Sequence, residues 1–182
     1  MISKGRTDPC SCSIMVRVAA LLLDCAKGEV VSSKKKSTLA KLTRPRMQGA
    51  MSRERLFTLL DAKMRQAPVV WIAGPPGAGK TSLAASYLED RDRPSIWYQL
   101  DAGDIDISAF FHYLTLAALP LLPRRVTLPR FSADLAPDPV IFGRTFFREL
   151  FAALPQPIVL VLDNYHDVPD GAALHRVLKE AI

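Results

Sequence analysis

The sequence contains no apolar run approaching the ~18 residues that a membrane-spanning helix requires. A membrane partner is therefore not expected. Cysteine is scarce: Cys10, Cys12 and Cys25 are the only three, and all lie near the start. An odd number confined to one end provides no disulfide framework, and Cys10-Ser11-Cys12 is not a usual zinc spacing. A reducing cytoplasm is the simplest setting. Aromatic residues are absent from the basic N-terminal region before Phe57. Without rings to stack on bases, that region reads as a solvated lead-in rather than a nucleic-acid arm.

What is present sets a scale. The 182 residues suffice for one domain of ordinary size, and 49% hydrophobic with 23% charged residues is normal for a soluble globular chain that buries a core. The net charge of +6 is uneven. Residues 1–65 carry 14 Lys and Arg against 5 Asp and Glu, a balance of +9, whereas residues 66–182 carry 10 against 13, a balance of −3. Lys34-Lys35-Lys36, Arg44, Arg46, Arg53 and Arg55 supply much of the excess. Residues 1–37 read as a basic extension without order that adds little to a core, and residues 38–182 as the folded domain. Within the extension, Ile14 to Leu23 follows Lys4 and Arg6, but Arg17 interrupts the apolar stretch and Asp24-Cys25-Ala26-Lys27 is a poor cleavage site. That stretch is read as a short amphipathic helix or as residues without order.

Residues 74–81 read GPPGAGKT and match G-x-x-x-x-G-K-[ST] at Gly74, Gly79, Lys80 and Thr81. The run Val69-Val70-Trp71-Ile72-Ala73 before it suits a buried strand. Leu83, Ala84, Tyr87 and Leu88 after it fall at helical spacing. Strand, glycine turn and helix is the context a phosphate loop requires. Gly77 and Gly79 can adopt positive φ and turn consecutive N–H groups toward one anion. Pro75 and Pro76 stiffen the approach, Ala78 completes the turn, and the helix start through Ser82 adds unpaired N–H groups and a positive dipole end. Lys80 can reach the β- and γ-phosphates of ATP, and the Thr81 hydroxyl can hold Mg²⁺.

Magnesium also needs a carboxylate at the end of a neighbouring strand. Ile158-Val159-Leu160-Val161-Leu162 is a continuous apolar run closed by Asp163, 83 residues after Lys80. Lys80 and Asp163 are thus the candidate catalytic residues, with Thr81 and Asp163 as metal ligands. Asn164 stands where many ATPases have a second acid. An amide orients water but cannot accept its proton. ATP binding is better supported than rapid hydrolysis.

The remaining elements alternate. Ser52 is the expected N-cap of a helix from Arg53 to Arg65, with Leu56, Leu59, Leu60 and Met64 on one face. A strand is expected over Ser95–Leu100, a turn over Asp101–Asp104, and a helix over Ile107–Leu119 with Phe110, Phe111, Leu114 and Ala118 inward. Pro120 to Pro139, with five prolines, reads as an irregular connection. Helices follow over Val140–Leu154 and Gly171–Ile182, the latter with Leu174, Val177, Leu178 and Ala181 on its apolar face. The alternation predicts an α/β fold with a parallel sheet, flanking helices and right-handed crossovers.

Several stretches resemble the STAND ATPases, the signal-transduction ATPases with numerous domains, and within them the large LuxR-type transcriptional activators related to the maltose regulon activator. Leu162-Asp163-Asn164-Tyr165-His166-Asp167-Val168 is similar to their L-D-D-Y-H segment, with Asn164 as the departure. Lys41-Leu42-Thr43-Arg44-Pro45 resembles their lead-in, Ser52-Arg53-Glu54-Arg55-Leu56 their R-E-R-L segment, and Trp97-Tyr98-Gln99-Leu100-Asp101-Ala102-Gly103-Asp104 their second strand and turn. The resemblance runs from about Lys41 to Ile182. It implies a P-loop NTPase domain with phosphate contacts from Gly77 to Ser82, magnesium on Thr81 and Asp163, and a nucleotide contact near Arg53. It further implies an ATP-dependent switch acting through self-association or further domains. DNA would be reached only through a C-terminal domain absent from these residues. On that comparison the chain reads as a fragment with a three-stranded partial sheet and exposed edges. The competing readings are a stand-alone AAA-type or other P-loop ATPase or kinase, and a remnant that binds nucleotide weakly or not at all. A small kinase should show a lid arginine cluster, and an AAA-type core an acid at position 164.

Overall fold

The computed structural model describes residues 12–19, 39–47, 53–132 and 138–181. Four strands, β1 (Cys12–Ala19), β2 (Val69–Gly74), β3 (Ser95–Gln99) and β4 (Ile158–Asp163), form one sheet in the order β2-β1-β4-β3. Among the described residues five α-helices flank it: α1 (Glu54–Gln66), α2 (Lys80–Asp90), α3 (Ile107–Ala118), α4 (Pro139–Ala153) and α5 (Ala173–Ala181).

The sheet is mixed, which corrects the expectation of a parallel one. Strands β3 and β4 pair in parallel, with Tyr98 level with Leu162 and Gln99 with Asp163. Strand β1 runs antiparallel to both of its neighbours, from Cys12 opposite Gly74 to Arg17 opposite Val69 on one side, and from Met15 opposite Leu162 to Ala19 opposite Ile158 on the other. The extension thus contributes a strand. Residues 14–19 of the stretch read as a short helix or as unordered are extended, and among the described residues the sheet has four strands rather than three. The remaining residues of the extension, 1–11 and 20–37, lie outside the described residues, as does Ser52, the expected cap of α1.

Every residue of β4 is buried, and alternate residues serve two cores. Ile158, Leu160 and Leu162 meet Phe110, Phe111 and Leu114 of α3, Phe146, Phe147 and Leu150 of α4, and Leu174, Val177 and Leu178 of α5. Val159 and Val161 meet Phe57 and Leu60 of α1 and Leu83, Ala84, Tyr87 and Leu88 of α2. This is the period-2 alternation of a strand covered on both faces. Helices α3 and α4 begin with Asp106 and Asp138, whose side chains accept from Ser108 and Val140 N–H. One expectation for α1 fails. Leu59 is 52% exposed, and Phe57 takes the inward place.

Helices α1 and α2 are tied at the surface end. Tyr87 donates to Asp61 at 2.6 Å, and Arg91 donates to Asp61 at 3.0 Å and to Glu54 at 2.7 Å. Through Glu54 the contact reaches the first turn of α1, next to Arg53.

Candidate functional site

Strand β2 delivers Gly74 to the sheet edge, and the next five residues turn into α2. Gly77 and Gly79 have φ of 75° and 76°, in the left-handed region that favours glycine. A Cβ on Gly77 would meet nothing within 4 Å, so that side of the turn is open. A Cβ on Gly79 would lie 3.0 Å from a guanidinium nitrogen of Arg53. Arg53, 26 residues away in sequence, is therefore part of the loop's surroundings. With Glu54, Arg55 and Leu56 it lines an open depression of about 360 Å³.

Ala78 N–H donates to Pro75 O at 3.3 Å, and Leu83 N–H to Gly79 O at 2.8 Å, which closes the turn and starts the helix. The Lys80 ammonium folds back over the loop and donates to Gly74 O at 3.1 Å and Pro75 O at 2.8 Å. Thr81 and Ser82 sit in the first turn of α2, half-buried.

Asp163 ends β4 and is 2% exposed. The Thr81 hydroxyl lies 3.1 Å from each of its carboxylate oxygens. Asn164 N–H donates to Oδ1 at 3.0 Å. Burial pushes the Asp163 carboxyl above its ordinary range, opposed by those two hydrogen bonds and by the charges of His166 and Lys80. Asn164 itself adopts φ 57°, ψ 36°, which asparagine tolerates better than most residues. The structure thus brings together Gly74 through Ser82, Arg53 and Asp163.

The oxygens here are of the kind that could take a hard cation. Thr81 and Asp163 present oxygen ligands, and a cation would relieve the charge that burial disfavours. Among the described residues no group of three or more His, Cys, Asp or Glu could hold a metal ion. Magnesium suits such a sparse set, because it keeps water and ligand phosphates in its shell.

Two polar clusters nearby escaped the sequence. Lys41 donates to Asp101 at 2.8 Å and lies 3.3 Å from Asp104, which is 1% exposed and also accepts from the Tyr98 hydroxyl. Its ammonium stands 5.1 Å from the Tyr98 ring centre and 5.0 Å from that of Tyr113. The lead-in and the Asp101–Asp104 turn are thus one contact. The acid-x-x-acid spacing was its only sequence signal, since Asp101 and Asp104 form a reciprocal cap. In the second cluster, His175 Nε2 faces Pro169 O at 3.0 Å and must donate there, so in the neutral ring Nδ1 accepts from the Tyr165 hydroxyl at 2.7 Å. Tyr165 in turn packs edge-on against Trp71 at 4.9 Å. This pins the turn that follows Asp163.

No family model matches the chain, and neither a curated protein nor a solved structure matches it. No helix among the described residues is long and apolar enough to cross a membrane.

Proposed function

We propose that the chain binds Mg·ATP in a P-loop NTPase site and serves as the nucleotide-dependent switch of a STAND-class, LuxR-type regulator. The observation that carries this reading is the convergence of Thr81 and Asp163, 82 residues apart, on one oxygen-lined spot. Asp163 lies in a fully buried strand, and its carboxylate, which burial disfavours, is held there by the Thr81 hydroxyl and Asn164 N–H. Gly77, Gly79 and the N-terminus of α2 would receive the phosphates, Lys80 would leave the Gly74 and Pro75 carbonyls for them, and Thr81 with Asp163 would hold the metal. Bound there, magnesium would offset charge on the phosphate oxygens. Arg53 beside Gly79 supports a further contact to the nucleotide.

The switch part of the reading rests on the motif resemblance. A nucleotide shifts a two-state equilibrium only through its different affinity for the two states, and self-association or docking of further domains would be the output. The test is titration calorimetry with ATP and Mg²⁺. Lys80→Ala should weaken binding at least tenfold, about 1.4 kcal/mol, given that hydrogen bonds to charged groups contribute roughly 1.5–3 kcal/mol. Equal affinity in the two proteins would end the nucleotide reading.

A further inference from the structure

Strand β1 reaches the sheet from far along the chain, with 49 residues between Ala19 and Val69. It occupies the place between β2, which leads into the phosphate loop, and β4, which ends in Asp163. These two strands do not pair with each other. Met15, Val16 and Arg17 are each paired on both sides at once, to Trp71, Val70 and Val69 and to Leu162, Val161 and Leu160. The two halves of the candidate site are therefore held apart by one inserted strand.

The spacing matters. Adjacent strands lie about 4.8 Å apart, so β1 keeps β2 and β4 about 9.6 Å apart. If β1 left, the two would either pair directly, closing by about 4.8 Å, or separate. Metal coordination tolerates displacements of about 0.2 Å. Either rearrangement exceeds that by more than an order of magnitude.

We propose that β1 is a positioning strand for the nucleotide site. It sets the lateral separation of Thr81 from Asp163, and its slot accepts an equivalent strand supplied in trans. The positioning part rests on the Mg·ATP reading above; the slot part does not. Gly77, Gly79 and Lys80 belong to one continuous segment with β2, so metal-free phosphate contacts should survive a disturbance of β1. The contribution of Asp163 should not. A strand that merely stabilised the fold would weaken both alike.

The experiment uses the full chain. Val16→Pro removes an N–H from a centrally placed strand, where proline is not accommodated. Val16→Gly weakens the same strand more gently. Calorimetry with ATP alone and with ATP plus Mn²⁺, and hydrogen exchange of β2 and β4, are compared with the unmodified chain. Val16→Pro should lose at least about tenfold in Mn·ATP affinity and less than about threefold without metal, a split that metal coordination geometry requires. Val16→Gly should show the same split, smaller. A peptide of residues 12–19 at about 1 mM, at or above the effective concentration that a long tether provides, should restore amide protection in β2 and β4 and the metal-dependent affinity. Mn·ATP affinity unchanged in both variants, equal loss with and without metal, or protection that the peptide does not restore would each overturn the proposal. If the unmodified chain binds no ATP while the peptide restores protection, the slot stands and the nucleotide reading falls.

Discussion

The surroundings of Asp163 disfavour the charged form of its carboxyl. Its folded pKa is raised above that of the unfolded chain, mainly by burial. Protonated Asp163 therefore favours the folded state at low pH, and that advantage is lost as pH rises through the folded value. At neutral pH without divalent cation, Asp163→Asn should melt higher than the parent. The gap should close as pH falls below the ordinary aspartate value of about 3.9. The same variant should lose the extra stabilisation that Mg²⁺ adds to ATP, read as the ligand-induced shift in melting temperature. A parent that is more stable than Asp163→Asn at pH 7 in chelator would show that Thr81 and Asn164 N–H compensate the burial. Gly79 is constrained twice, by φ of 76° and by Arg53 at 3.0 Å from where a Cβ would stand. Gly79→Ala should destabilise by about 1–2 kcal/mol from the left-handed backbone alone. Denaturant titration would measure it, and an unchanged midpoint would mean that the loop relaxes to negative φ.

Elements were legible where the pattern was local. Helix α3 follows from Phe110, Phe111, Leu114 and Ala118 at helical spacing, and all four are buried. Strand β4 follows from five consecutive apolar residues before Asp163, and the turn between β2 and α2 from Gly77 and Gly79, both at positive φ. Strand β1 was not legible. Ile14 to Ala19 continues into Ala20-Leu21-Leu22-Leu23, and a short apolar run fits a helix as well as a strand. What decides it is pairing with residues 69–74 and 158–162, which no local pattern contains. The parallel pairing of β3 with β4 is as expected, and the antiparallel pairing of β1 was missed for the same reason. The Lys41 contact, 60 residues from Asp101, is likewise set by the fold, since the acid-x-x-acid spacing does not name its cation. It should be a measurable joint between the lead-in and β3. Burial works against the charged form of Lys41, but hydrogen bonds and charge from Asp101 and Asp104 outweigh it and raise its pKa. Lys41→Met leaves Asp104 buried without its cation and should lower stability by about 1–3 kcal/mol. Asp101→Asn, at an exposed carboxylate, should cost under about 1 kcal/mol. The Lys41 contribution is present below the unfolded lysine pKa and is lost as pH rises through the folded one. The difference between Lys41→Met and the parent should therefore narrow above about pH 10.4.

For the whole molecule, the basic N-terminal region and the acidic remainder are not separable parts. If residues 1–37 added little to the core, as their composition reads, a chain starting at Ser37 would melt like the full one. It lacks β1, and with it the pairing to both β2 and β4. A loss of about 3 kcal/mol would lower the melting temperature by roughly 6–12 °C at this size. An unchanged transition would mean that the sheet closes without β1. Turnover is the remaining whole-molecule quantity, because it needs the phosphate loop, Asp163 and a water-activating group together. Asn164 follows Asp163 in a left-handed turn with its N–H committed to the Asp163 carboxylate. Its side-chain amide cannot take a proton from water. Nucleotide should therefore bind and remain largely intact, with phosphate release under saturating Mg·ATP far below ~1 s⁻¹, the low end of ordinary enzyme turnover. Slow turnover suits a switch, since the bound state then persists long enough for a partner to dock on it. A rate near ~1 s⁻¹ would mean that another group activates water, and the site would belong to a working ATPase rather than to a switch.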